Sequence, residues 1–143
     1  MSTKRIVMHY TTPPSLDDLR DLAKDILDSL PADLLKYKNS DIQIDDFPDG
    51  TLMHDLDMES DFDLLVFFSG GENTSLLTKA PAKETLYLFR RPFLDAWCDI
   101  GEDLSTLLRQ TIIQEIAMAM GFEDNQIEAL MREEDGNYLS KAS

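Results

Sequence analysis

The sequence predicts an α+β fold in one domain, and three observations carry that prediction. Apolar residues recur at helical spacing through two long stretches, residues 16–30 and 102–120. Three shorter stretches, 41–45, 64–68 and 85–89, show the alternation or the continuous apolar run of strands. The chain has 143 residues, 43% of them hydrophobic, which is enough for one core and too short for two comfortable ones. The domain is expected to span residues 1–143 with its core at about 15–133. The N-terminal segment and the tail 134–143 are expected to be less ordered.

Ser15 opens the first helix as N-cap, with Asp17 and Asp18 placing negative charge at the positive end of the helix dipole. Leu16, Leu19, Leu22, Ala23, Ile26, Leu27 and Leu30 follow at helical spacing. Pro31 ends that run or begins a short second turn through Leu34 and Leu35. Asp41-Ile42-Gln43-Ile44-Asp45 alternates polar with apolar, as a half-buried strand does. Phe47-Pro48-Asp49-Gly50 reads as a turn. Acids then alternate with Leu56, Met58 and Phe62 before Leu64-Leu65-Val66-Phe67-Phe68, a buried strand. Residues 69–82 read as loop, and Thr85-Leu86-Tyr87-Leu88-Phe89 as a third strand. After Arg91-Pro92, a short helix is marked by Phe93, Leu94 and Trp97. Gly101 separates it from the long helix 102–120, which Gly121 ends as a C-cap. A last helix runs from Asp124 to about Glu133, with Ile127, Leu130 and Met131 facing the core and a polar, frayed tail from Glu134.

Thirteen basic residues against 28 acidic ones give a net charge of -15. Nucleic acid and anionic membranes demand counter-charge, so that field argues against both as partners. It serves solubility, and it favours a basic protein segment or a cationic peptide. The lone Cys98 provides no internal disulfide and suits a reducing compartment. The first ten residues hold no apolar stretch of signal-peptide length, and no run approaches the ~20 apolar residues of a membrane span. A cytoplasmic protein is expected. The acids from Asp55 to Asp63 invite a calcium reading, which fails because Ser60 stands where an EF-hand needs glycine and Val66 where it needs glutamate.

The long helix carries the chemistry. At about 100° per residue, Ile112, Ile113, Ile116, Ala117, Ala119 and Met120 share one arc, while Gln110, Thr111, Gln114, Glu115 and Met118 share the other. Arg109 is a polar exception in the apolar arc, near enough to the helix start to reach solvent, and Met118 is the apolar exception in the polar one. Gln114 and Met118, four residues apart, lie one above the other with Glu115 beside them. Two imidazoles at that spacing with a glutamate between them would be H-E-x-x-H, in which zinc acidifies a water and the glutamate takes its proton. Gln114-Glu115-Ile116-Ala117-Met118 is that pattern with both histidines replaced, or it is the wet face of an amphipathic helix.

Gly121 and Asp124 extend the match to H-E-x-x-H-x-x-G-x-x-D. Three segments resemble the minimal zincin-like family of small bacterial predicted neutral zinc metallopeptidases. They are Asp28-Ser29-Leu30-Pro31-Ala32-Asp33-Leu34, the stretch from Thr85 to Leu94, and Leu108 to Ala117 followed by Met120-Gly121-Phe122-Glu123-Asp124. Their order and spacing agree over roughly residues 15–131. The resemblance implies a compact α+β domain, a small mixed sheet packed against helices, with the motif on the long helix 102–120. It assigns Glu115 the general-base position and puts the metal-ligand positions at Gln114, Met118 and Asp124. A glutamine amide and a thioether are poor zinc ligands, so no zinc or other cofactor is expected, and Glu115 is expected to be inactive.

Three readings of function follow. In the first, the chain is a non-catalytic pseudoenzyme that binds a peptide or basic protein segment, through a free sheet edge at Thr85–Phe89 with Arg90 and Arg91 nearby as binding residues. In the second, it is a hydrolase with a non-standard ligand set drawn from Asp124, Glu115, Glu123 and His54. In the third, it is an acidic interaction module whose cleft is closed by Met118.

Overall fold

The computed structural model describes residues 13–70 and 83–142, with side chains described as far as residue 134. Expectations for the N-terminal segment, His9 and most of the 69–82 loop lie outside the described residues.

Helix α1 (Leu16–Asp28) begins as its sequence dictates, with one addition. Ser15 Oγ accepts from the N–H of Asp18 at 3.1 Å, and the Asp18 carboxylate accepts in return from the N–H of Ser15 at 3.0 Å. Asp18 therefore completes a reciprocal capping box as well as complementing the dipole. Leu19, Ala23, Ile26 and Leu27 form the buried stripe. Pro31 precedes a 3-10 turn over Ala32–Tyr37 that buries Leu34.

Strand β1 (Asp41–Asp45) is where the alternation predicts it. The next segment is not: Gly50–Asp55 forms the short helix α2. Its Leu52 and Met53 sit in a small core with Leu64, Phe67 and Phe89, and Leu56, Met58 and Tyr87 pack against that core. Strand β2 is Val66–Ser69 and β3 is Thr85–Phe89. The sheet order is β1-β3-β2, with β1 parallel and β2 antiparallel to β3. Ile42 and Ile44 stand beside Leu86 and Leu88, while Val66 and Phe68 stand beside Leu88 and Leu86.

This order corrects one expectation. β3 is the central strand, hydrogen-bonded on both sides, so it offers no free edge to a peptide. Its apolar side chains on both faces are the mark of a strand covered above and below. Leu86 and Leu88 face the larger core with α1 and the long helix, whereas Phe89 joins the smaller core under α2.

Helix α3 (Arg90–Ile100) follows β3 directly and stops at Gly101, whose φ of 78° suits the residue without a Cβ. Helix α4 (Leu104–Ala119) is capped by Asp103, which accepts from the N–H of Thr106 at 3.1 Å, so it starts two residues later than the apolar pattern suggests. Its end is a Schellman motif: the N–H of Phe122 reaches the carbonyl of Ala117 and that of Gly121 the carbonyl of Met118, both at 3.0 Å, with Gly121 at φ 86°. Helix α5 (Asp124–Ala142) runs well past Glu133, where a polar tail was expected. Glu134 is not frayed away. It accepts from Arg109 Nε at 2.8 Å, and Arg109 also donates to the Ser29 carbonyl at 2.7 Å and hydroxyl at 2.9 Å. The guanidinium thus ties α4 to the end of α1 and to α5 instead of reaching out to solvent.

Candidate functional site

Helix α4 packs beneath β2, with Ile112, Ile113, Ile116 and Ala117 fully buried in the core they share with Phe68. The other face of the helix turns outward. Gln114 is exposed, and Met118 is 51% exposed and stands outside the apolar core. Met120, next along, is partly buried against the main core.

Glu115 departs from the helical wheel. It belongs to the polar arc by angle, yet it is half-buried. Its carboxyl accepts a hydrogen bond from the backbone N–H of Phe68. Burial pushes its pKa up from the usual 4.5 to about 7, with the Phe68 bond opposing part of that rise. At neutral pH a large fraction of Glu115 therefore carries a proton.

The Phe68 donor lies on the outer side of β2. The N–H of Phe89 donates to Leu65 at 2.9 Å, which fixes the alternation along the β2–β3 pair. Phe67 and Ser69 then exchange bonds with Tyr87 and Thr85, whereas Val66 and Phe68 direct their backbone groups away from β3. A backbone donor leaves no trace in residue identity, so this partner of Glu115 is invisible to any sequence pattern.

Gly121 turns the chain between α4 and α5, and Asp124 is the first residue of α5, exposed at the helix's positive end. Glu123 precedes it, its N–H donating to the Gln126 side chain at 2.7 Å, half of a capping box. Of the ligand positions, Gln114 and Met118 share one exposed face of α4, and Asp124 stands beyond the turn. His54 is not brought to them. It sits exposed on α2, whose apolar face packs on the sheet face opposite to α4. Among the described residues, no three histidine, cysteine or carboxylate side chains are grouped so as to hold a metal ion.

Arg90 and Arg91 are also separate from Glu115. Arg90 Nε donates to the Pro14 carbonyl at 2.8 Å, and its Nη1 lies 3.6 Å from Asp46. The N–H of Arg91 donates to the Asp46 carbonyl at 3.1 Å, and its guanidinium stacks over Phe47 at 5.6 Å. Both pin the start of α3 to the chain before α1 and after β1. They follow Phe89, which stands three residues along β3 from Leu86, the partner of Phe68, or about 10 Å at strand spacing.

A small mixed sheet with an antiparallel edge strand, a helix beneath that edge bearing a glutamate, and a glycine turn beyond it define a zincin-type domain. The family model described as zincin-like metallopeptidase matches residues 37–133, about two thirds of the chain, and the protein belongs to that family. No curated protein gives a match. No helix among the described residues is long and apolar enough to cross a membrane.

Proposed function

We propose that this chain is a zincin-like domain that does not hold catalytic zinc and does not cleave peptides, and that it works as a binding module for a peptide or basic protein segment. One observation carries the reading. The two side chains at the i, i+4 ligand positions are an amide and a thioether, while the glutamate between them is turned onto the N–H of Phe68. Zinc in a peptidase takes imidazole, thiolate or carboxylate donors, and Asp124 alone supplies one of those. The residues do not fit the ion.

The surplus of 28 acids over 13 basic residues supports a cationic partner, since a field of one sign raises the encounter rate with the other. The exposed, unpaired Cys98 fits work in a reducing, cytoplasmic setting.

Metal analysis and thermal melting of tag-free protein test the reading, beside the double variant Gln114→His plus Met118→His. The natural chain is expected to carry no stoichiometric zinc and to melt at the same temperature with zinc or with chelator. The double variant is expected to gain one zinc and several degrees, because a ligand that binds only the folded state must stabilise it. One tightly held metal per natural chain would overturn the proposal.

A further inference from the structure

We propose that the exposed ring pair Phe47–Phe62 is the docking surface for an arginine-bearing segment of a partner protein. The inference rests on the reading above, a binding module for a basic segment, and names the face that receives it.

The two rings come from separate loops, one after β1 and one before β2. Phe47 is 37% and Phe62 44% exposed, and their centroids stand 5.4 Å apart, edge to face at 86°. Single exposed apolar side chains are ordinary on a protein surface, but two large rings held together make a patch. Both loops are tied down. The N–H of Arg91 donates to the Asp46 carbonyl at 3.1 Å just before Phe47, and buried Pro48 follows it. The other loop folds round Ser60, whose hydroxyl accepts from the N–H of Phe62 at 3.2 Å and whose carbonyl accepts from the N–H of Asp63 at 3.0 Å. A surface fixed before its partner arrives loses little conformational freedom on binding.

Ring chemistry and charge name the same occupant. Phe47 already carries a guanidinium of this chain, that of Arg91 at 5.6 Å, whereas Phe62 carries no cation among the described residues. An aromatic face attracts a cation through its quadrupole, and a guanidinium also stacks flat on it. Residues 45–63 hold seven aspartates and Glu59, all exposed, and no lysine or arginine. Asp61 and Asp63 flank Phe62, and Asp46 precedes Phe47. Of these acids only Asp46 has an ion pair among the described residues, with Arg90 at 3.6 Å. A second copy of the chain would bring a like field against this one, so the occupant is a cationic segment of another protein.

Fluorescence anisotropy on the full chain tests this, with a dye-labelled peptide of alternating arginine and glycine beside its lysine counterpart. The natural chain is expected to bind the arginine peptide several-fold more tightly than the lysine one. Phe47→Ser plus Phe62→Ser should weaken arginine binding about tenfold and level the two peptides, while Asp25→Asn on α1 should change it less than about twofold. Arg91→Gln removes the resident guanidinium and should tighten binding, a gain that no misfolded variant gives. Arginine binding untouched by the serine pair would overturn the docking surface and leave the module reading standing. Equal binding of the two peptides by the natural chain would reduce the contact to charge alone and overturn it as well. Binding of neither peptide would sink the module reading itself. A natural chain that dimerises in light scattering, beside a serine pair that does not, would assign the patch to a second copy and overturn the proposal.

Discussion

Glu115 ties stability to pH between the ordinary carboxylate range and neutrality. Its pKa is about 7 in the folded chain against an ordinary 4.5, so the folded state holds the proton more tightly. The stability this contributes is fully present below about pH 4.5, is lost as pH rises towards 7, and is gone above it. Glu115→Gln abolishes that slope while keeping an acceptor for Phe68. The variant should therefore gain on the natural protein between pH 4.5 and 7, reaching on the order of 2–3 kcal/mol at pH 8. Denaturant titrations of the pair across that range measure it, and parallel curves would refute it. At this scale the sequence told half the story. The wheel places Gln114 and Met118 on the exposed face, where they are. It placed Glu115 there too, because angle on a helix says nothing about a strand edge lying over one side of it.

Among elements, the Arg109 junction decides more than any cap. One guanidinium joins α4 to the carbonyl of Ser29, which caps the end of α1, and to Glu134 on α5, whose side chain is only 17% exposed. Removing the arginine strands a half-buried carboxylate and a helix-end carbonyl together. Arg109→Ala should cost about 2 kcal/mol in chemical unfolding and should loosen α5 beyond residue 133, seen as faster amide exchange there. A loss confined to a few tenths would show that the junction is ornamental. Local signals fixed the ends of most elements: Ser15, Gly101 and Gly121 act where a capping residue is expected. They failed where stabilisation comes from elsewhere. The polar stretch after Glu133 stays helical although it lacks an apolar stripe of its own. Gly50–Asp55 winds into α2 because Leu52 and Met53 meet Phe67 and Phe89 across the sheet, a contact with no local signature.

The whole molecule carries its charge as one sign in excess, and that excess works against compactness. With a net charge of -15, mutual repulsion among carboxylates raises the free energy of the folded chain. Ion pairs such as Lys24–Asp28 and Lys83–Asp41 are exposed and offset little of it. The melting temperature should climb by a few degrees as salt rises from about 10 mM to about 150 mM, where the Debye length falls to about 8 Å. A melting point indifferent to salt would mean the acids are already well dispersed. Fold class and family were legible because patterning and motif order span most of the chain. Strand order was not, since an apolar run such as Thr85–Phe89 fits either an edge covered by a partner or a centre covered by its neighbours.

That strand order also sets a timetable for synthesis. The two outer strands share no hydrogen bonds with each other, and both bond to β3, which is the last of the three in the chain. Residues 41–45 must wait until residue 89 has left the ribosome before any ladder closes, more than forty residues later. At about 5–20 residues per second that is a delay of seconds, during which α1 can wind but has no sheet to cover. Non-local pairing of this kind also slows refolding of the finished chain. The nascent protein therefore passes through a stage with two strands made and neither of them paired in the sheet.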